Sequence, residues 1–237
     1  ATSAVLMLVF KDTILGLAAG VRLTSNDMLH KGDWITVKSV DANGIVEDMS
    51  LTTVKVRNFD NTIVTISPAT LVNGSFQNWI GMQKSGGRRA KRIVYFDFRS
   101  IRLVDETLKQ TLLAKHFATE DSFKLKESLQ KAIEKDIQEG KDIEDLKNPA
   151  ALAPTNLQLY RRFMEKYLRQ RPEVNTELTL MVRHMEATQC GLPIEFYFFI
   201  KDKVWVNYEH ILADIMEHAY ALANEFGLKI YEQYPEQ

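Results

Sequence analysis

The stretch from Lys11 to Trp79 decides the fold of this chain. Three segments define it, which are FKDTILGLAAGV (10–21) at its start, GDWI (32–35) in its first half and SLTTVKVRNFDNTIVTISPATLV (50–72) towards its end. The first segment is rich in glycine, alanine and apolar residues, as closely packed membrane helices are. The later segments are rich in β-branched residues separated by turn residues, as short strands are. The stretch therefore joins membrane-type helix packing to a small β-structure.

An apolar run from Ala4 to Phe10 stops at Lys11 and Asp12 and then resumes. A membrane span needs about 20 mostly apolar residues, so this run is too short and too interrupted to cross a bilayer alone. Since the first residue is Ala1 rather than methionine, we expect the chain to start partway through a helix whose earlier part lies upstream.

Three small residues, Gly16, Ala19 and Gly20, are three and four positions apart and so share one helix face. Their missing side chains allow two helices to approach backbone to backbone. A glycine inside a helix costs roughly 1 kcal/mol relative to alanine, which favours close packing here or a bend near Lys11 and Asp12. The alternative is an ordinary N-terminal amphipathic helix in a soluble core.

Composition sets wide bounds on the fold class. The 237 residues suit one large or two small domains, and 45% hydrophobic with 26% charged residues is typical of a folded chain. The net charge of −1, from 30 basic and 31 acidic residues, argues against a duplex-binding protein. Cys190 is the only cysteine, so an internal disulfide and a thiolate metal cluster are excluded.

Residues 32–79 contain the signals of short strands and tight turns. Asp41-Ala42-Asn43-Gly44 predicts a hairpin turn, Asp60-Asn61 predicts a second one, and Pro68 is expected to end the last long strand. Four or five strands in about 40 residues favour a small closed or nearly closed barrel over a sandwich.

Gly86 and Gly87 mark the start of a second domain of mixed strands and helices. The order lacks βαβ regularity and predicts an α+β arrangement with helices on one face of an antiparallel or mixed sheet. A final strand at 228–234 needs neighbours, which partner copies could supply. The other predicted elements are a strand at 93–98, helices at 104–117, 121–139 and 156–170, strands at 176–186 and 194–200, and a helix at 206–226.

The segment from Asp121 to Lys147 carries apolar residues every four positions in a dense field of Lys and Glu. We interpret it as a solvated helix with one packed stripe; a partner-binding arm is the alternative. The apolar positions are Leu125, Leu129, Ile133 and Ile137.

The sequence contains few signals of a catalytic or metal-binding site. No GxxxxGK[ST] loop is present and no GxGxxG follows a strand, so we expect no nucleotide cofactor and no enzyme. His210, Asp214 and His218 lie along one helix face, but a structural metal needs four ligands, so we interpret them as a solvated face. The basic cluster from Lys84 to Arg92 lacks interleaved aromatic residues and is interpreted as a solvated strand edge rather than a nucleic-acid or lipid site.

These motifs, in this order, resemble the small-conductance mechanosensitive channel (MscS) family over nearly the whole chain, and most closely its miniconductance, YbdG-like branch. The motifs that carry the resemblance are Leu17-Ala18-Ala19-Gly20-Val21, Gly32-Asp33-Trp34-Ile35, Arg57-Asn58-Phe59-Asp60-Asn61, Leu180-Met181-Val182-Arg183 and Gly191-Leu192-Pro193.

The resemblance implies a homoheptamer in a bacterial inner membrane, with most of this chain cytoplasmic. It implies an α+β chain made of the end of a membrane pore helix (1–28), a small Sm-like β-barrel domain (29–84) and a ferredoxin-like α/β vestibule domain (85–237) with a charged helical excursion at 118–148. Partners would be the lipid bilayer and the permeating ions and small solutes, without nucleic acid, cofactor or metal.

The resemblance also assigns roles within the first helix. Leu8 and Ala4 fall at the pore constriction, and a ring of leucines there gates by excluding water. Gly16, Ala19 and Gly20 would pack neighbouring pore helices, and Lys11 and Asp12 would mark the bend. The function implied is release of ions and solutes under membrane tension. The runner-up is a soluble oligomeric Sm-like module that binds RNA or a protein.

Overall fold

The structure, a computed structural model, describes residues 2–124, 131, 134–135, 137–139 and 153–233. The side chains of residues 2–9 and 12 lie outside that description. The chain divides into two compact units, Ala1–Ser85 and Gly86–Gln237. Among the described residues, no helix combines the length and the apolar character that a membrane span requires.

The first unit opens with helix α1, Thr2–Ser25. The helix ends because Asp27 takes a left-handed conformation, with φ of 57°, and the amide of Met28 donates to the carbonyl oxygen of Leu23 at 3.2 Å. The amide of Asp27 also bonds the carbonyl of Thr24, which completes the Schellman pattern of helix termination.

A five-stranded antiparallel sheet follows, in the order β4-β3-β2-β1-β5. Its buried residues, with Leu23, Leu29 and Leu71, form the core of this unit. Within the described part of the unit no ladder joins β4 to β5, so the predicted small barrel is not closed by strand pairing there. The strands are β1 (Trp34–Val37), β2 (Ala42–Met49), β3 (Val54–Asn58), β4 (Ile63–Ile66) and β5 (Gln77–Asn78), with short helices α2 (Pro68–Asn73) and α3 (Ile80–Lys84).

The hairpin turn predicted at Asn43-Gly44 is wrong. Both residues lie inside β2, and the chain reverses through a 3-10 turn at Lys38–Val40 followed by Asp41 in a left-handed conformation. Gly44 has a different role, because a Cβ there would lie 1.9 Å from the carbonyl oxygen of Arg57 on β3. The glycine therefore permits β2 and β3 to approach closely at this point.

Two other sequence signals in this unit are confirmed. Asn61 lies in the left-handed region with φ of 70°, so the Asp60-Asn61 turn is present. Pro68 ends the extended segment as the first residue of α2, and the hydroxyl of Ser67 caps that helix by accepting from the amide of Thr70 at 3.2 Å.

The second unit has a three-stranded antiparallel sheet in the order β6-β8-β7. An isolated bridge between Phe96 and Ile230 adds a short fourth edge beside β6. This order corresponds to the ferredoxin-like split βαβ arrangement. The elements are β6 (Arg88–Phe96), α4 (Glu106–Ala114), α5 (Glu120–Phe123), α6 (Asn156–Gln170), β7 (Met181–His184), β8 (Leu192–Ile200) and α7 (Trp205–Glu225).

One face of this sheet and the apolar faces of α4, α6 and α7 form the core of the second unit. The amide of Asn156, which is fully buried, ties the layers together: its nitrogen donates to the carbonyls of Ser100 and Phe226, and its oxygen accepts from the backbone amides of Arg102 and Leu157. All four side-chain bonds are satisfied, as burial of an amide requires.

Several predicted elements of the second unit differ from those observed. Helix α6 has the predicted bounds, whereas β7 begins at Met181 rather than at residue 176. The final segment has a neighbour from its own chain, because the amide of Tyr231 donates to the carbonyl of Tyr95 at 2.8 Å. Helix α5 ends at Phe123, and most of the predicted 121–139 helix and of the Asp121–Lys147 segment lies outside the described residues.

Candidate functional site: the N-terminal helix and its corner

Helix α1 presents unpaired apolar surface. From Phe10 to Ala18, every residue with a described side chain is exposed except Gly16, which is half-buried. Phe10 is 53% exposed and Ile14 is 56% exposed. Leu15, Leu17 and Val21 are exposed as well. An exposed apolar patch of this kind marks an interaction surface, so this part of α1 is suited to pack against other helices or lipid.

The predicted pore positions lie near the start of the same helix. Ala4 and Leu8 belong to α1, and their side chains lie outside the described residues. The side chain of Asp12 lies outside them too, and that of Lys11 is exposed. The helix is continuous through both residues, so the bend predicted there and the pore constriction stay predictions.

The three small residues of α1 have different surroundings. Ala19 and Gly20 are buried within their own unit, and a Cβ on Gly20 would lie 2.1 Å from the carbonyl oxygen of Leu51 in the β2–β3 loop. A Cβ on Gly16 would meet nothing within 4 Å. Gly20 is thus explained by contact inside the chain, while packing between neighbouring pore helices stays a prediction for all three.

The corner after α1 is fixed by a buried carboxylate. Oδ2 of Asp33 accepts from the backbone amide of His30 at 3.0 Å and from the side-chain amide of Asn78 at 2.8 Å. Gly32 precedes it with φ of 94°, a conformation that favours glycine. The imidazole of His30 also lies 2.9 Å from a carboxylate oxygen of Asp27. These contacts join the end of α1 to strands β1 and β5.

An aromatic cluster covers one side of this corner. The rings of Trp34 and Trp79 stack at 4.7 Å, and Phe59 meets Trp34 edge to face at 5.3 Å. Both indole nitrogens have partners: that of Trp34 donates to Asn43 at 2.9 Å, and that of Trp79 donates to the hydroxyl of Thr36 at 3.0 Å. The cluster locks the register of β1 against its neighbours.

The hairpin that carries Phe59 is held by polar side chains. Oδ1 of Asp60 accepts from the amide and from the hydroxyl of Thr62 at 2.9 and 2.7 Å. These two hydrogen bonds, of which the one from the hydroxyl has the larger effect, hold the pKa of Asp60 below its usual range. Oδ1 of Asn58 accepts from the amide of Asn43 at 2.8 Å, which ties the hairpin to β2.

The basic cluster of the second unit has aromatic partners that the sequence pattern does not reveal. The guanidinium of Arg88 lies 4.3 Å from the ring centre of Tyr208, and that of Arg89 lies 5.8 Å from the ring centre of Tyr197. Both tyrosines are more than 100 positions away in sequence, so local interleaving could not indicate them. β6 is an edge strand of its sheet, with Arg88 beside a buried ring of α7 on the core face and Arg89 beside a ring on the other face, so each of these two arginines has an aromatic neighbour.

The predicted solvated face of α7 carries the two histidines and Asp214. His210, Asp214 and His218 are all exposed, and the His218 ring stacks on Tyr167 at 5.7 Å. The described residues contain no group of three or more His, Cys, Asp or Glu side chains placed to hold a metal ion.

A family model for the mechanosensitive ion channel β-domain matches residues 12–81. The small-conductance mechanosensitive channel MscMJ of Methanocaldococcus jannaschii is 33% identical over 73 residues, which is 31% of this chain and 20% of that protein. An uncharacterised MscS family protein of Aquifex aeolicus is 35% identical over 86 residues, 36% of this chain and 21% of that protein. The chain thus spans about a fifth of the length of these relatives.

Two solved structures share the fold over the whole chain. Arabidopsis thaliana MSL1, determined by cryo-EM, has a TM-score of 0.63 at 10% identity, and the match covers 98% of this chain and 63% of that one. The crystal structure of closed-state Helicobacter pylori MscS has a TM-score of 0.59 at 12% identity, and the match covers 100% of this chain and 69% of that one. At such identities the likeness shows a mixed α/β fold, while the β-domain match and the relatives support a place in the MscS family.

Proposed function

We propose that this chain is part of a subunit of a tension-gated ion channel of the MscS family, with α1 as the end of its pore-lining helix. The observation that carries the proposal is the exposed apolar surface of α1, on a helix anchored at Gly20 and Leu23 in a unit that the channel β-domain model matches. A free helix of this kind needs neighbours, and copies of itself around a central axis provide them.

Gating would depend on the difference in membrane area between the closed and the open conformer. Membrane tension favours the conformer that occupies more area, so an expanded pore gains free energy without any ligand, as a population shift between two states. Leu8 forms the narrowest ring in this account and excludes water when the ring is closed, with Ala4 above it. Gly16 would let neighbouring helices slide in contact. No catalytic step and no cofactor is involved.

Finer features of the proposal rest on the resemblance. We place the protein in the miniconductance, YbdG-like branch, as a homoheptamer in a bacterial inner membrane with the two described units largely on the cytoplasmic side. The permeating species would be ions and small solutes released on osmotic downshock.

The experiment is patch-clamp recording of the full-length protein in liposomes under stepped suction. Openings that increase with tension support the proposal, and a lower threshold or a leak in Leu8→Ser assigns the gate to that residue. A correctly inserted protein that shows no tension-dependent conductance refutes the function. An unchanged threshold in Leu8→Ser removes only Leu8 from the gate.

A further inference from the structure

The second unit contains a cavity of about 350 Å³ between α6 and the connection from α4 to α5. Its volume lies within the range of about 300–1,000 Å³ that small-molecule sites occupy. The connection contributes residues 116–119 and Ser122 to the lining. The α6 residues that line the cavity are three or four positions apart and so share one helix face: Leu159, Arg162, Phe163, Lys166, Tyr167 and Gln170.

The wall opposite α6 is made by a chain reversal at the end of α4. The amide of His116 donates to the carbonyl of Leu113 at 3.0 Å, and that of Phe117 donates to the carbonyl of Leu112 at 2.9 Å, which is the Schellman pattern. His116 takes a left-handed conformation in this reversal, with φ of 58°, where glycine is the usual residue. The chain therefore keeps an imidazole in the cavity wall at a conformational cost, as functional sites often do.

The lining of the cavity is cationic. Among the described lining residues are Arg162 and Lys166, and no Asp or Glu. Arg162 is half-buried, and within the described parts of the chain neither cation has a hydrogen bond or an ion pair. Like charges four positions apart destabilise a helix, so a bound anion would relieve the repulsion between them.

Acidic residues next to the cavity in sequence have other partners. Glu165 lies 3.2 Å from the guanidinium of Arg169, and Glu120 lies 3.7 Å from the ammonium of Lys109. These carboxylates therefore leave the two cations of the cavity for an anionic ligand.

Three aromatic side chains complete the lining. Phe117 and Phe163 meet edge to face at 5.3 Å and pack against the core of the unit, and Tyr167 stacks with His218 at 5.7 Å. Because these contacts hold the rings in place, the apolar wall is formed before any ligand arrives. A mostly apolar wall with a few polar groups is the usual make-up of a small-molecule site.

A larger cavity in the same unit, of about 830 Å³, fits an anion less well. Its two arginines already have partners, since Arg99 lies 2.6 Å from Asp97 and Arg102 pairs with Asp105. Asp97 and Glu232 also place carboxylates in its lining.

We propose that the cavity between α6 and the α4–α5 connection binds a small phosphate monoester that carries an aromatic ring, of the nucleoside monophosphate class. A phosphate monoester has a charge of about −1.5 to −2 at neutral pH and so balances two cations, whereas a carboxylate balances one. Arg162 and Lys166 hold the phosphate, and the aromatic wall contacts the base. The site lies within one copy of the second unit and is independent of ion conduction.

The test is isothermal titration calorimetry of the full-length protein in detergent with adenosine monophosphate, adenosine and inorganic phosphate. The nucleotide should bind, and the other two should each bind at least roughly tenfold more weakly, because adenosine lacks the charge and phosphate lacks the ring. Absence of nucleotide binding, or equally tight binding of phosphate alone or of adenosine alone, would overturn the proposal.

Variants on α6 locate the site. Arg162→Ala and Lys166→Ala should each weaken nucleotide binding by roughly ten- to a hundredfold, the usual effect of losing a hydrogen bond to a charged group. Arg169→Ala is the matched control, because Arg169 is on the same helix, outside the cavity lining and paired with Glu165. Wild-type affinity in both lining variants, or an equal loss in the control, contradicts the site. Circular dichroism melting without ligand shows that each variant is folded.

Photolabelling with an azido analogue of the nucleotide gives a second readout. Labelled peptides should come from residues 116–122 or from α6, and labelling confined to the lining of the larger cavity refutes the proposal. Stretch-activated currents are recorded separately. Absence of binding with normal currents therefore refutes this site alone, and binding without currents refutes the channel function alone.

Discussion

Gly20 of α1 lies directly against the backbone of Leu51 in the β2–β3 loop. A Cβ at Gly20 would be 2.1 Å from the carbonyl oxygen of Leu51 and 2.9 Å from its Cα, and both distances are shorter than van der Waals contact allows. Because backbone meets backbone, neither side can relieve the clash by turning a side chain. The loop therefore constrains the position of α1 directly, and a shift of the helix must be accompanied by a shift of this loop.

The first prediction concerns this contact. Gly20→Ala should destabilise the first unit by about 1–3 kcal/mol, the usual cost of overpacking, because the helix or the loop has to move. Urea unfolding followed by tryptophan fluorescence measures it, since Trp34 and Trp79 both lie in this unit.

Gly16→Ala is the matched control on the same helix. No atom lies within 4 Å of the position that the added methyl group would take, so the variant should be neutral or up to about 1 kcal/mol more stable through helix propensity. Equal destabilisation by the two variants would contradict the close approach at Leu51.

The second prediction concerns the buried amide of Asn156. Asn156→Ala leaves two backbone amides and two carbonyls in the second unit without partners, and should cost roughly 3 kcal/mol. Thermal unfolding followed by circular dichroism measures the loss. Asn207→Ala removes an exposed amide whose one side-chain bond among the described residues is to Asp202, and it should change stability by no more than about 0.5 kcal/mol. A small effect at Asn156 would show that water replaces its bonds.

The third prediction concerns pH. The pKa of Glu195 lies below its ordinary value of 4.5, chiefly because Arg183 donates a hydrogen bond to the carboxylate, with Lys91 adding to the effect against the opposing cost of burial. A depressed folded-state pKa contributes stability above the unfolded value and loses it as the pH falls through the folded value. The melting temperature should therefore fall as the pH is lowered from about 5 to about 3.

Glu195→Gln should lower the melting temperature at neutral pH and reduce its fall in acid, because the variant has no carboxylate to protonate. Glu186→Gln, at an exposed position, is the control and should keep the wild-type profile. If Glu195→Gln retains the full acid-dependent loss, other carboxylates cause it.

Local patterns predicted part of this fold well. The bounds predicted for α6 are those observed, and the conformational preferences of Asn61 and Pro68 located a turn and a strand end. The turn at Asn43-Gly44 was predicted wrongly because a dipeptide that favours a tight turn also permits close contact between strands. Which of the two structures forms depends on the approach of Arg57 from β3.

The sites were harder to foresee, for the same reason. The contact of Gly20 with Leu51 and that of Arg89 with Tyr197 join residues far apart in the sequence, so only the folded chain brings them together. For α1, the sequence indicated the small residues and the apolar run, and the structure adds which described side chains are exposed.

The central claim, that α1 lines a pore which tension widens, is tested most directly by thiol accessibility at Leu8. The full-length protein carries Leu8→Cys in a Cys190→Ser background, and a charged thiol reagent is applied during patch-clamp recording with and without suction. We predict a change in conductance when the reagent is applied under tension and a far slower one at rest. Tension-activated currents that the reagent never alters would contradict the claim.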